Sequence, residues 1–209
     1  MQILFEDEEI VVCVKPRGIL SQADSNGGIS MITELADKCG CAIYPLHRLD
    51  KEVGGVMVYA KTKFAAAFLS NEIKAHKFVK EYIALVHSKP QNKSGEMRDL
   101  LFKDSRKNKS FVVKRERKGV KEAILEYELI ESFLIENREY SKVKIRLHTG
   151  RTHQIRVQFA SRKMPLIADK KYGANDSFKT IGLWSYRISF THPKTEEKLS
   201  FLSEPQFCI

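Results

Sequence analysis

The stretch Pro45–Gly55, PLHRLDKEVGG, brings an imidazole, a guanidinium and a carboxylate within four residues, at His47, Arg48 and Asp50, and closes on two glycines. A carboxylate set among cations just before the backbone becomes permissive has two readings. One is a surface turn with a local ion pair. The other is a carboxylate that does chemistry, with Gly54-Gly55 admitting a close backbone approach. A second cationic pair, Arg151 and Arg156, stands in LHTGRTHQIR. There it fits either an anion site at a helix start or a basic surface turn. Tyr82 interrupts an otherwise apolar run, EYIALV, where a core tyrosine with a wet hydroxyl is the plain expectation.

The elements that must carry these residues can be read from periodicity. QILFEDEEIVVCVKP has two apolar runs about an acidic turn and predicts a hairpin that stops at Lys15-Pro16. Residues 29–38 read as a short helix, and Val56–Ala60 as a buried strand. KTKFAAAFLSNEIKAHK reads as a helix capped by Thr62, with Phe64, Phe68 and Leu69 on one side. Val79–His87 is a strand. Residues 88–119 lose apolar density and gain charge, as expected of loops and hairpins projecting from the body. In KVKIRLH, apolar residues alternate with basic ones, a strand with one wet face. A turn at Thr149-Gly150 follows, then a helix with Ile155 and Phe159 four apart. Two strands joined by HPKTEE end the chain. Hairpins mixed with helices, without internal repeats, predict an α+β fold in a single domain over 1–209.

With 209 residues, 43% of them hydrophobic and 30% charged, the chain has ample material for a core. No apolar run approaches the roughly 18 residues of a membrane span. The N-terminus is acidic where a signal peptide would be basic, so a soluble, cytoplasmic protein that avoids membranes is expected. The net charge is +10, and the segment from Lys103 to Lys121 carries nine Lys or Arg against two acids, a net +7. Such a block favours a polyanion, whose condensed counterions are released on binding, although charge alone does not separate this from a solvated basic loop. Cys39-Gly-Cys41 lacks the second ligand pair of a zinc site, and the six histidines assemble no metal set by spacing. The four cysteines, Cys13, Cys39, Cys41 and Cys208, are expected to be reduced. No G-x-x-x-x-G-K-[ST] or G-x-G-x-x-G phosphate loop is present.

Taken in order, the motifs resemble those of the RluA-type RNA pseudouridine synthases. HRLDKEVGGVMVYAKT is similar to the family's H-R-L-D-x-x-[ST]-S-G-x-x-x-x-A-K, LHTGRTHQIRV to L-x-T-G-R-x-H-Q-I-R, and KEYIALV to K-x-Y-x-A-x-V. EDEEIVVCVKPRGILSQ resembles the N-terminal E-D-x-x-[IVL]-[IVL]-V-x-[ND]-K-P-x-G, and PLIADKKYG resembles P-[IL]-x-G-D-x-x-Y-G. The departures are Val53-Gly54 for the usual hydroxyl pair, Cys13 for Asn or Asp, and Ala168 for Gly. The first of these removes hydroxyls beside Asp50.

The resemblance implies a mixed, largely antiparallel sheet with flanking helices and a basic cleft. It implies isomerisation of uridine to pseudouridine in structured RNA, ribosomal or transfer, by a protein expected to act as a monomer. Neither metal nor nucleotide nor redox cofactor is expected. Carried over by position, Asp50 is the catalytic aspartate acting on a flipped uridine, Tyr82 lies beside the base, and Arg151 pairs with Asp50. Arg48, with His47 and Arg156, is expected at the RNA, and Lys107, Lys109, Arg115 and Lys118 are expected to grip it. The S4-like RNA-binding module of many relatives is expected to be absent. Two rivals are an RNA-binding protein that has lost the chemistry, and a hydrolase pairing Asp50 with a histidine.

Overall fold

The computed structural model describes residues 1–23 and 28–207; Cys208 lies outside the described residues. They divide into two compact units, each drawn from separate chain segments: Met1–Lys80 with Trp184–Pro205, and Glu81–Leu183 with residues 206–207.

In the first unit, β1 (Gln2–Glu6) and β2 (Ile10–Lys15) form the expected hairpin. Asp7 fixes its turn by accepting from the backbone N–H groups of Glu9 and Ile10, both at 2.8 Å. β2 runs antiparallel to β4 (Gly54–Ala60), which takes the two-residue β3 (Tyr44–Pro45) antiparallel and β10 (Leu183–Thr191) parallel on its other side. β11 (Lys198–Leu202) completes the sheet against β10. Every residue of β2 and β4 is buried, the pattern of strands covered on both faces. Helix α1 (Met31–Cys39) starts at a capping box, in which Ser30 and Thr33 satisfy each other's backbone N–H. Helix α2 (Lys63–Lys74) is capped by Thr62, whose hydroxyl accepts from Ala65 N–H at 3.0 Å. Ala65 and Leu69 face a core of Ile10, Val12, Val56, Val58 and Ile188. Phe64, expected on that face, is 60% exposed, because the buried positions of α2 are 65, 69 and 72.

In the second unit the strand order is β5 (Val79–His87), β9 (Arg138–Leu147), β8 (Val120–Ile135), β6 (Ser94–Asp104), β7 (Lys109–Val113), antiparallel throughout. The alternation read in KVKIRLH is realised: Val143 and Ile145 are fully buried, while Lys144 reaches Glu81 at 3.2 Å on the wet face. Helix α3 (Gln154–Ser161) packs on the other face, where Val157 meets Leu101, Ala123 and Tyr172. The basic segment from Lys103 to Lys121 comprises the end of β6, all of β7, the start of β8 and the two turns between them. It is hairpin structure, as expected. Sheet and helices together make an α+β fold.

Candidate active-site residues

Asp50 is half-buried, at the head of a turn closed by Val53 N–H donating to the Asp50 carbonyl at 3.0 Å. The preceding residue is fastened twice. Leu49 N–H donates to the Ser21 hydroxyl, and that hydroxyl donates to the Leu49 carbonyl, each at 3.0 Å. The following residue is fastened by Lys15, a fully buried lysine at the end of β2. The Lys15 ammonium donates to the carbonyls of Lys51 (3.1 Å), Pro16 (2.9 Å) and Ile19 (2.6 Å). Gly18 N–H adds a bond to the Lys51 carbonyl at 2.9 Å, and Arg17 donates to the Glu52 carbonyl at 2.9 Å. The loop after β2 thus clasps the Asp50 turn residue by residue. Burial pushes the Lys15 pKa down to about 8, against the pull of the Glu52 and Asp50 carboxylates. Neither Lys15 nor Ser21 stands out in the sequence as a site residue; the Lys-Pro pair was the available signal, and nothing in it announces a buried ammonium.

The two glycines serve a different approach from the one expected. Gly55 has φ +122°, and a Cβ there would lie 2.2 Å from the Ser185 carbonyl oxygen; at Gly54 it would lie 2.5 Å from the Trp184 ring. What comes close at both positions is β10.

His47 sits where β3 has ended. Pro45 pairs with Tyr59, and the His47 Nε2 then accepts from Val58 N–H at 3.4 Å, in place of a strand carbonyl. Its ring lies 5.7 Å from Phe78. Burial, helped by the Lys80 ammonium, pushes its pKa down to about 3, so the imidazole is neutral at pH 7 and brings no charge to RNA. Arg48, next along, is exposed.

In the second unit, Tyr82 is 5% exposed in β5, opposite Ile145 of β9. Arg151 lies beyond β9 in a turn locked to β8. Its Nε donates to the Glu122 carbonyl at 2.8 Å and its backbone N–H to Gln154 Oε1 at 3.0 Å. Gln154 also accepts from the Thr149 hydroxyl at 2.8 Å and donates to the Ile124 carbonyl at 3.1 Å. Arg156, expected at an RNA-facing helix start, is 6% exposed. It grips Asp169 with two bonds, Nε to Oδ2 at 2.7 Å and Nη2 to Oδ1 at 2.8 Å, beneath the Tyr172 ring. A planar fork on a buried carboxylate is a structural tie, and this charge is spent inside the unit. Of the residues expected to grip RNA, Lys107, Arg115 and Lys118 are exposed. Lys109 is half-buried, its ammonium donating to the Lys171 carbonyl and lying 5.0 Å from the Tyr172 ring.

Cys13, Cys39 and Cys41 form no disulfide, and burial pushes the Cys13 thiol up to about 12. Among the described residues, no group of three or more His, Cys, Asp or Glu is placed to share a metal ion, and no helix is long and apolar enough to cross a membrane.

The profile of the family described as RNA pseudouridylate synthase matches residues 9–161, which include Asp50, Tyr82 and Arg151. The chain is 33% identical over 99% of its length to an uncharacterised RNA pseudouridine synthase of Aquifex aeolicus, covering 70% of that protein. It is 32% identical over 97% of its length to the ribosomal large subunit pseudouridine synthase D of Borreliella burgdorferi, covering 64% of it. The fold matches that of human RNA pseudouridylate synthase domain containing 1, with a TM-score of 0.81 at 20% identity, over 98% of this chain and 83% of that one. Ordered motifs, sheet and sequence agree, and the chain belongs to the RNA pseudouridylate synthase family, RluA type, a family of RNA-modifying isomerases.

Proposed function

We propose that this protein converts a specific uridine in structured RNA to pseudouridine, with Asp50 as the catalytic carboxylate. In the isomerisation the bond from ribose C1′ to uracil N1 breaks, the uracil turns, and C5 bonds to C1′. The proton on C5 leaves and N1 gains one, so mass and chain length are unchanged. A stacked uridine must first leave its helix, at a cost of a few kcal/mol. The exposed Arg48 would assist that extrusion, and the Tyr82 ring would lie beside the freed base, where base–aromatic stacking is worth about 1–3 kcal/mol. Arg151 would pair with Asp50. Its guanidinium already has one bond to a main-chain carbonyl, which leaves its remaining donors for a carboxylate in a fixed orientation. Relatives named for the large ribosomal subunit favour ribosomal RNA over transfer RNA as the substrate.

The observation that carries this reading is the anchorage of the H-R-L-D turn. Both neighbours of a half-buried Asp50 are fastened by buried side chains, Ser21 and Lys15. A reaction that depends on placing one carboxylate would need such support. The test is tritium release from RNA carrying 5-labelled uridine, with the RNA then sized and its nucleosides resolved. Label released from intact RNA, with pseudouridine formed, is the expected result. Free uracil or a cut strand would establish the hydrolase instead, and bound RNA without any release would leave only a binding protein.

A further inference from the structure

The outer face of the sheet in the second unit changes character at its edge. In its middle that face carries ion pairs, Lys144 of β9 with Glu81 of β5 and Glu122 of β8 with Arg98 of β6. Where β6 and β7 end the sheet it becomes apolar and aromatic. Phe102 is directly opposite Phe111, Leu100 opposite Val113, and Val120 is the neighbour of Phe102 on β8. The alternate residues Leu101 and Ala123 point to α3, so the Phe102–Phe111 pair points away from the core. Phe111 is 37% exposed and none of these five side chains is fully buried. Cations accompany the rings: the Arg117 guanidinium stands 4.6 Å from the Phe102 centroid and the Lys109 ammonium 5.7 Å from that of Phe111. The turns bounding the patch carry Arg106, Lys107, Lys114, Arg115 and Lys118, all exposed.

We infer that this edge is a stacking surface for unpaired bases of the RNA substrate, and not only a source of positive charge. Rings standing proud of a sheet with arginine and lysine around them are what single-stranded RNA recognition requires. The bases stack on ring and guanidinium planes while phosphates meet the cations. A surface needing charge alone would not display phenylalanines to water, and a protein partner would not call for a net +7 segment around them. The inference rests on the proposed function for its choice of RNA, and it adds that the RNA engaged here is unstacked.

The experiment compares Phe111→Ala, Phe111→Leu and wild type on two RNAs, a hairpin with an open loop and its fully paired duplex, across a salt series. Phe111→Leu keeps the patch apolar and guards against a loss of fold. The ring-less variants should bind the hairpin about 5- to 150-fold more weakly. Duplex affinity and the slope against log salt should stay as in wild type, since every cation that meets a phosphate is kept. Equal affinities for the hairpin, or an equal loss on hairpin and duplex, would overturn the stacking role. So would a wild-type dimer in sedimentation that Phe111→Ala dissolves with hairpin binding intact. The outcome is separable from turnover: ring-dependent hairpin binding without tritium release would sink the proposed function and leave this surface standing.

Discussion

The Asp50 turn and the edge from Lys103 to Lys121 both belong to an RNA-modifying enzyme, yet they are built by opposite rules. Around Asp50 the main chain is tied at Leu49, Lys51 and Glu52 by three different side chains, one of them a lysine with no solvent exposure. Along the edge most of the cations are exposed, and the side-chain ties include Asp104 accepting from two turn N–H groups, Lys109 donating to the Lys171 carbonyl and Ser110 donating to the Thr152 carbonyl. The first arrangement holds the main chain on both sides of one carboxylate. The second spreads charge and aromatic surface over several positions. Placement and grip call for different physics, and substitutions should separate them.

The sharpest break should come from Asp50→Asn, which keeps size and shape while removing the charge and one acceptor oxygen. The single-turnover rate at saturating enzyme should fall by about 10³-fold or more, with RNA affinity retained. Turnover near the wild-type rate would remove Asp50 from the chemistry. Arg151→Ala should follow, with a loss of roughly 10²-fold in the same rate, the scale expected of a misplaced reacting group. Lys118→Ala, which deletes the same charge from an exposed position, should leave that rate alone. Equal, mild losses would make Arg151 another surface cation.

Lys15→Met should cost roughly tenfold in rate by loosening the Asp50 turn, and should also lower stability, because the Pro16 and Ile19 carbonyls lose a donor. Its pH signature follows from the depressed pKa. Between about 8, the folded value, and 10.5, the ordinary one, the unfolded chain keeps a proton that the folded chain has released. Wild-type stability should therefore gain with rising pH across that window relative to the Met variant. Over the same window the wild-type rate should decline, since the neutral amine has two N–H donors for three carbonyls. Urea midpoints and single-turnover rates at pH 7.5 and 10 would show both, and parallel midpoints in the two proteins would mean that the ammonium is not buried as described. The smallest effect on rate should come from neutralising Lys107, Lys109, Arg115 and Lys118 together. Affinity should weaken and the salt slope should flatten by up to about 0.7–0.9 for each phosphate left without its cation, while the saturated rate holds. A collapsed rate would place the edge inside the closed active site.

The elements were legible where a period of two or of 3.6 was pure. β5 runs from Val79 to His87 as its apolar run promised, and Thr62 caps α2. The family was legible as a string, since H-R-L-D and T-G-R-x-H-Q-I-R can be matched without any coordinates. What stayed hidden was the partner of each charge. Arg151 and Arg156 look alike in TGRTHQIR, but helix phase turns Arg156 inward to Asp169, thirteen residues on, while Arg151 stays at the turn. His47 reads as a cation beside Arg48 and is neutral because it is buried, with the Lys80 ammonium near it. Gly54-Gly55 signalled a close approach correctly, but the sequence could not say that a strand from the far end of the chain would make it.

That strand sets the order in which the protein can be made. Gly54 and Gly55 of β4 pair with Trp184 and Ser185, 130 residues later. A chain leaving the ribosome therefore exposes β1, β2 and β4 long before β10 exists, with one side of β4 bare of its permanent neighbour. Domains usually close from the N-terminus during synthesis. Here the unit that holds Asp50 must wait until Trp184 and Ser185 have been made, with a long loop-closure entropy to overcome. The second unit, Glu81–Leu183, is continuous apart from its last few residues and is free to form in the interval. The basic edge is thus ready before the turn that holds the carboxylate is assembled, so a nascent chain can meet RNA before it can modify it.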